Sequence, residues 1–225
     1  MDTSFLRKVP LFEGLTDEDL EAIAKVTISR TYDKDQIIIL AEEEGDALFI
    51  IESGQVKVSI VSDDREVILS LLGNGAMFGE LSLLDGKPRS ANVVATENTA
   101  LYMVRRADFL QLIYKVPKIA IALLAELAAR LRKTDRKIEG LALLDVTSRI
   151  SETLLQLATD QGEQREEGIH LATRPTHQQL ANMSGTTRET VSRVLKRLEN
   201  QGYIVTKGRT ITILKEEHWA KEDEE

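Results

Sequence analysis

Arg188, Glu189 and Arg193 lie close together in TTRETVSRVLKRLENQGYI, Thr186 to Ile204, and their chemistry suits reading the edges of bases. A guanidinium fork pairs bidentately with guanine O6 and N7, and a carboxylate accepts from cytosine N4. Thr187 is placed to cap a helix, with Thr190 three positions on, and Val191, Leu195 and Leu198 recur at helical spacing. Arg188 and Glu189 then occupy the first turn and Arg193 lies one turn past Glu189, so all three project away from the apolar face. Just upstream, Thr176 to Met183 (THQQLANM) reads as a shorter helix, followed by the turn Ser184-Gly185-Thr186. Helix, Gly-containing turn and a helix with exposed polar groups is the helix-turn-helix arrangement. The plainer alternative is a solvated face laced with local ion pairs. Charge argues against it. Thr173 to Lys215 holds eight Lys or Arg and two acids, a balance of +6 in a chain of net −8, which leaves −14 for the rest. An acidic protein that gathers its positive charge on one such unit presents that patch to a polyanion.

A second group of residues suits a small anion. Phe78-Gly79-Glu80-Leu81-Ser82 is followed by Arg89, nine positions after Glu80, and by Ser90-Ala91. Gly79 lets backbone approach a ligand, and amides of a short helix starting near Glu80 can donate to phosphate. Arg89 offers a fork to phosphate oxygens and Ser90 a hydroxyl. Glu80 is out of place at an anion site unless it accepts from something, such as a ribose 2′-hydroxyl. A structural Glu80–Arg89 ion pair is the alternative.

Elements must hold these groups in place. The 225 residues, 42% hydrophobic and 29% charged, are enough for one large domain or two ordinary ones. Thr16-Asp17-Glu18-Asp19 is a capping box that opens a helix expected to run through Ile28. From Tyr32 to about Val104 short β-rich runs follow, Gln36–Leu40, Ala47–Glu52, Gln55–Val61, Glu66–Leu72, Ala91–Ala95 and Ala100–Arg105, separated by turn signals such as Ser53-Gly54, Asp63-Asp64 and Asp85-Gly86. That spacing predicts an antiparallel β-roll. Arg106 to Tyr114 reads as a short helix. Pro117 then sits at the start of a long one, Lys118 to Leu144, with a stripe of Leu124, Leu127, Leu131, Ile138 and Leu141 interrupted at Thr134. Such a stripe argues for a coiled-coil homodimer, or else for packing on the roll, and both faces are apolar near Ile119–Leu127. Val146 to Thr159 predicts a further helix, Asp160 to Gly168 an exposed loop, and Tyr203–Val205 with Thr210–Leu214 a hairpin around Lys207-Gly208-Arg209 that completes a winged helix. The tail Lys215–Glu225 is mostly charged and is expected to fray.

Other chemistries find little support. With no cysteine, disulfides, thiolate metal sites, iron–sulfur clusters and cysteine nucleophiles are excluded. His170, His177 and His218 are scattered and form no metal-ligand pair, and with the lone Trp219 they offer no catalytic constellation. No apolar run reaches membrane-spanning length, and MDTSFLRKVP lacks a signal-peptide core, so a cytoplasmic protein is expected.

From about Leu11 to Leu214 the chain resembles the cyclic AMP receptor protein family (CRP/FNR regulators): FGELSLLDGKPRSA resembles its phosphate-binding cassette, LALLDVTSRI its hinge, and TTRETVSRVLKRLE its recognition helix. The resemblance implies an α+β chain in three parts. These are a cyclic-nucleotide-binding, jelly-roll-type β-roll (1–117), a central dimerisation helix and hinge (118–144), and a winged helix-turn-helix that binds DNA (145–225). It implies that Glu80 binds the ribose 2′-hydroxyl and that Arg89 and Ser90 bind the cyclic phosphate, with Gly79, Leu81 and Ala91 lining the cassette. Arg130 matches the arginine that closes over the pocket, and Thr134 the threonine that contacts adenine. Thr187, Arg188, Glu189, Ser192, Arg193 and Lys196 fall on the DNA-reading helix, which would read TGTGA-like half-sites of a palindrome. Cyclic AMP is the implied effector, and the Asp160–Gly168 loop the implied contact with RNA polymerase. One position departs: Asp135 stands where the best-known member has serine reached from the partner subunit. That leaves open a same-fold regulator that is constitutive or tuned to cyclic GMP or cyclic di-GMP. A cyclic-nucleotide module regulating an enzyme or channel would need no base-reading helix.

Overall fold

The computed structural model describes residues 3–63 and 65–215; the expectations for His218, Trp219 and the tail beyond Lys215 lie outside the described residues. Two compact units divide between Asp135 and Arg136.

The first unit opens with α1 (Thr3–Leu6), a 3-10 turn (Pro10–Phe12) and α2 (Asp17–Val26). The predicted capping box is present: Thr16 accepts from the Asp19 amide and the Asp19 side chain accepts from the Thr16 amide. Helix α2 stops at Val26, short of the expected Ile28, because Thr27 and Ile28 begin a strand. The eight strands are β1 (Thr27–Tyr32), β2 (Ile37–Ile39), β3 (Ala47–Ser53), β4 (Val56–Ser62), β5 (Arg65–Leu72), β6 (Met77–Phe78), β7 (Asn92–Ala95) and β8 (Thr99–Arg105). They form two antiparallel sheets, ordered β1-β8-β3-β6 and β2-β7-β4-β5. This is the expected roll, with β1 and β6 added to the six strands read from the sequence. Helix α3 (Glu80–Asp85) interrupts it between β6 and β7, and α4 (Arg106–Lys115) follows β8.

Strand β3 explains how the roll holds together. Its side chains alternate between two apolar clusters. Leu48 and Ile50 join Leu6, Phe12, Leu20, Ile23, Phe109 and the start of the long helix, through Ile119 and Leu123. Phe49 and Ile51 join Val56, Phe78, Val93 and Leu101 inside the roll. Phe49 and Phe78 stack with centroids 5.2 Å apart. The strand is therefore apolar at successive positions, which fixes its register on both sides.

The long helix α5 runs Lys118–Leu143. Ile119 and Leu123 are buried in the roll's core, while Leu124, Leu131, Ile138 and Leu141 are 66%, 62%, 60% and 59% exposed. Leu127 of the stripe packs partly against the roll's core, and the four exposed side chains form a second apolar face of α5.

The second unit contains α6 (Val146–Gln161), β9 (Glu163–Gln164), β10 (Gly168–Leu171), α7 (His177–Ser184), α8 (Arg188–Asn200), β11 (Ile204–Lys207) and β12 (Thr210–Leu214). Its sheet runs β11-β12-β10-β9, so the hairpin predicted behind the second helix is extended by two more strands. The segment expected to be a loop from Asp160 to Gly168 is only partly one. Helix α6 continues to Gln161, and Glu163 and Gln164 pair with β10, although residues 163–167 remain exposed. Ile150, Leu154, Leu157, Leu180, Ala181, Val191, Val194, Leu195, Ile204 and Ile211 are among the buried apolar residues on which these elements pack. Among the described residues no helix is long and apolar enough to cross a membrane.

Candidate nucleotide pocket and nucleic-acid interface

The cassette begins at a backbone feature. Gly79 has φ 80° and sits at the N-cap of α3, a left-handed conformation that only glycine adopts without strain. A Cβ there would also come 2.8 Å from Arg89 Nη1. At Gly45, a Cβ would fall on Arg89 Nε itself. The Arg89 guanidinium thus lies against two stretches of bare backbone. It is 7% exposed, and it donates through Nη1 to the Gly79 carbonyl at 2.7 Å and through Nη2 to the Ala47 carbonyl at 2.8 Å. Its own amide and carbonyl pair with the Glu43 carbonyl and the Glu42 amide, pinning the segment after α3 to the loop before β3. Burial lowers the Arg89 pKa from the ordinary arginine value, while Asp46 and Glu80 raise it. A desolvated cation of this kind gains from an anion.

Glu80 does not pair with Arg89. It is 4% exposed, and its Oε1 accepts from Arg130 Nη1 at 2.9 Å. Arg130 also donates from Nη2 to the Met77 carbonyl at 2.6 Å and from Nε to Glu126 at 2.9 Å. The structural ion pair weighed for Glu80 and Arg89 is therefore absent, because each group has a partner of its own. Gly79, Glu80, Arg89 and Arg130 are linked by these bonds. Ala91 is buried near them in sequence, whereas Leu81 and Ser90 are exposed. Thr134, also exposed, donates its hydroxyl to the Arg130 carbonyl at 3.0 Å. Asp135 is exposed.

These residues fit a cyclic nucleotide. A desolvated guanidinium suits a singly charged phosphate, a buried carboxylate accepts from a hydroxyl, and the side-chain-free backbone at Gly79 permits close approach.

The other site is built from helix caps. Thr176 and Gln179 form a capping box at the start of α7, and Gly185 (φ 62°) turns the chain at its end. Thr187 accepts from the Thr190 amide at 3.2 Å and starts α8. Val191, Val194 and Leu195 are buried and Leu198 is half-buried, which leaves Thr187, Arg188, Glu189, Ser192, Arg193 and Lys196 exposed on the other side. The pKa of Glu189 is lowered by its own backbone amide and the Thr187 hydroxyl, with Arg188 adding to the effect, so it remains an acceptor at neutral pH. Arg193 reaches back to the Thr190 hydroxyl at 3.4 Å.

One cation of the basic segment is committed elsewhere. Arg197 Nη2 donates to the Thr147 hydroxyl at 2.6 Å. Arg149 acts similarly within this unit, donating to the Leu144 carbonyl at 2.9 Å and the Ser184 carbonyl at 3.1 Å. Asp145 caps α6 through the Ser148 amide at 3.0 Å. Spacing alone could have revealed the Asp145 cap, since Ser148 follows three positions later; the Arg149 and Arg197 ties depend on folding and leave no local signal.

Comparison with known proteins identifies the two domains. The cyclic nucleotide-binding domain profile matches residues 29–115, and the Crp-like helix-turn-helix domain profile matches residues 148–218. The chain is 37% identical over 196 residues to the cyclic AMP receptor protein of Thermus thermophilus, covering 87% of this chain and 88% of that one. It is 38% identical over 184 residues to the cAMP-activated global transcriptional regulator CRP of Haemophilus influenzae, covering 81% and 82%. Among solved structures, the c-di-GMP-responsive global regulator CLP of Xanthomonas campestris superposes with a TM-score of 0.73 at 27% identity, covering 89% of this chain and all of that one. A cyclic nucleotide-binding domain followed in the same chain by a Crp-like helix-turn-helix domain, with relatives of this identity over most of the length, places this protein in the CRP/FNR family of transcription regulators.

Proposed function

We propose that the chain is a homodimeric, cytoplasmic regulator, not an enzyme, that takes cyclic AMP into the β-roll and then grips a palindrome of TGTGA-like half-sites through two copies of α8. The observation that carries this reading is the separation of Glu80 from Arg89. Two buried opposite charges in one cassette have different partners, Arg130 for the acid and backbone carbonyls for the base. A hydroxyl acceptor beside an anion site is what a ribose cyclic phosphate requires. The exposed apolar face of α5 supports pairing with a second copy, which would set two reading helices about 34 Å apart, one turn of DNA. The exposed residues 163–167 are the proposed contact with RNA polymerase.

For occupancy to alter DNA binding, the ligand must interact differently with the two states of the dimer. Thr134 and Asp135, at the end of the first unit on α5, are the proposed contacts to the base. A second reading, with cyclic GMP or c-di-GMP as effector or with no effector at all, is favoured by Asp135, whose charge is costly to bury against a base.

Calorimetry of the purified protein against cyclic AMP, cyclic GMP and c-di-GMP decides between them, with operator affinity measured by fluorescence anisotropy at each saturation. Cyclic AMP is expected to bind and to tighten operator binding, and Asp135→Ser to strengthen cyclic AMP binding. Operator affinity indifferent to all three nucleotides removes the proposed switch.

A further inference from the structure

Arg130 is held by three partners, one of which lies on its own helix. Nη1 and Nη2 reach Glu80 and the Met77 carbonyl in the roll, while Nε is taken by Glu126, one turn earlier on α5. The guanidinium is planar and its donors are fixed relative to one another. Fixing Nε therefore fixes the plane in which Nη1 and Nη2 point. The Glu126 side chain is 42% exposed, Arg130 is 30% and Glu80 is 5%, so the chain of contacts runs from solvent into the roll's interior.

A carboxylate four residues before an arginine on a helix surface ordinarily contributes little. Here the same arginine is the salt-bridge partner of a buried acid, and its orientation determines which lone pairs of that acid remain available. We propose that Glu126 is a positioning residue for nucleotide recognition. It takes Nε of Arg130, aims the opposite edge of the guanidinium at Glu80 and Met77, and so leaves the Glu80 carboxylate oriented to accept the ligand's ribose 2′-hydroxyl. This inference rests on the ribose role assigned to Glu80 above.

The two readings separate in one experiment. Cyclic AMP and 2′-deoxy cyclic AMP are titrated by calorimetry into the full-length wild-type protein, Glu126→Ala and Glu126→Gln. Glu126→Ala is expected to cut the preference for cyclic AMP over its 2′-deoxy analogue by about threefold or more, with the deoxy affinity changed by less than about twofold. Glu126→Gln keeps an acceptor for Nε and is expected to restore most of the preference. A merely structural role would weaken both ligands equally. An unchanged preference in Glu126→Ala, an equal loss for both ligands, or a Gln variant as impaired as Ala overturns the positioning role. Wild-type protein that binds cyclic AMP without preferring it to the deoxy analogue removes the ribose role of Glu80, and this inference with it.

Discussion

In the roll, Glu80 and Arg89 are almost wholly buried and bonded to Arg130 and to the Gly79 and Ala47 carbonyls; on α8, Arg188, Glu189, Arg193 and Lys196 stand in solvent. Both regions use the same side-chain chemistry. Charge taken out of water has to be satisfied by the fold, so the cassette's residues hold the protein together as well as offering themselves to a ligand. Charge left in water costs the fold almost nothing, and its energy is realised when it releases the counterions condensed on a polyanion. The contrast separates two kinds of failure: damage to the cassette costs stability and binding together, and damage to α8 costs binding alone.

The largest effect tests the first half of that contrast. Arg89→Met leaves one buried carbonyl (Ala47) and one part-buried carbonyl (Gly79) without this donor, and each unsatisfied buried group costs about 1–3 kcal/mol. Urea unfolding should show a loss of roughly 3 kcal/mol, with cyclic nucleotide binding abolished. A variant as stable as wild type would mean that Arg89 serves the ligand alone.

A smaller effect tests the second half. Arg188→Ala and Arg193→Ala should each cost operator binding about 1–3 kcal/mol and relax base choice at one position, while folding stability stays within about 0.5 kcal/mol. Anisotropy with single-base operator variants reads the first and urea unfolding the second. A double Arg variant that binds the operator as wild type does would break the assignment of α8 as the reading helix.

The smallest effect lies where the two categories meet. His177, at the start of α7, has its pKa lowered from the ordinary value near 6.5 by partial burial and by Arg174 and Arg188. The folded state then binds a proton less readily than the unfolded chain. The contribution to stability is present above the ordinary value and lost as pH falls through the folded one. His177→Gln should flatten that part of the curve, seen as a smaller drop in melting temperature from about pH 7.5 to about pH 5. An identical slope in the variant would show that this histidine behaves as a fully solvated one.

How much of this was legible in the sequence follows from how local each signal is. The Thr16–Asp19 capping box and the Thr187 cap depend on residues three apart, and both were readable. So was the apolar face of α8, because helical spacing repeats within one element. Strand β1 was missed: Thr27–Tyr32 continues an acceptable helical pattern and becomes a strand by pairing with β8, with Thr27 opposite Val104 and Tyr32 opposite Thr99. Strand β6 is two residues long and has no period of its own. In the cassette, the residue types and the glycine were readable. The partners of Glu80 and Arg89 were not, since Arg130 lies fifty positions from Glu80 and Ala47 forty-two from Arg89. Spacing shows which groups are available, while pairing is decided by the fold.

The guanidinium wedged against Gly45 and Gly79 has a consequence for the roll itself. A methyl group at position 45 would lie 1.9 Å from Arg89 Nε and one at position 79 would lie 2.8 Å from Nη1, so either forces the guanidinium to move. Replacing any one of the three disturbs the contacts that tie the segment after α3 to the loop before β3. A side chain introduced at either glycine is therefore felt by the roll's own loops through Arg89 before any ligand is present.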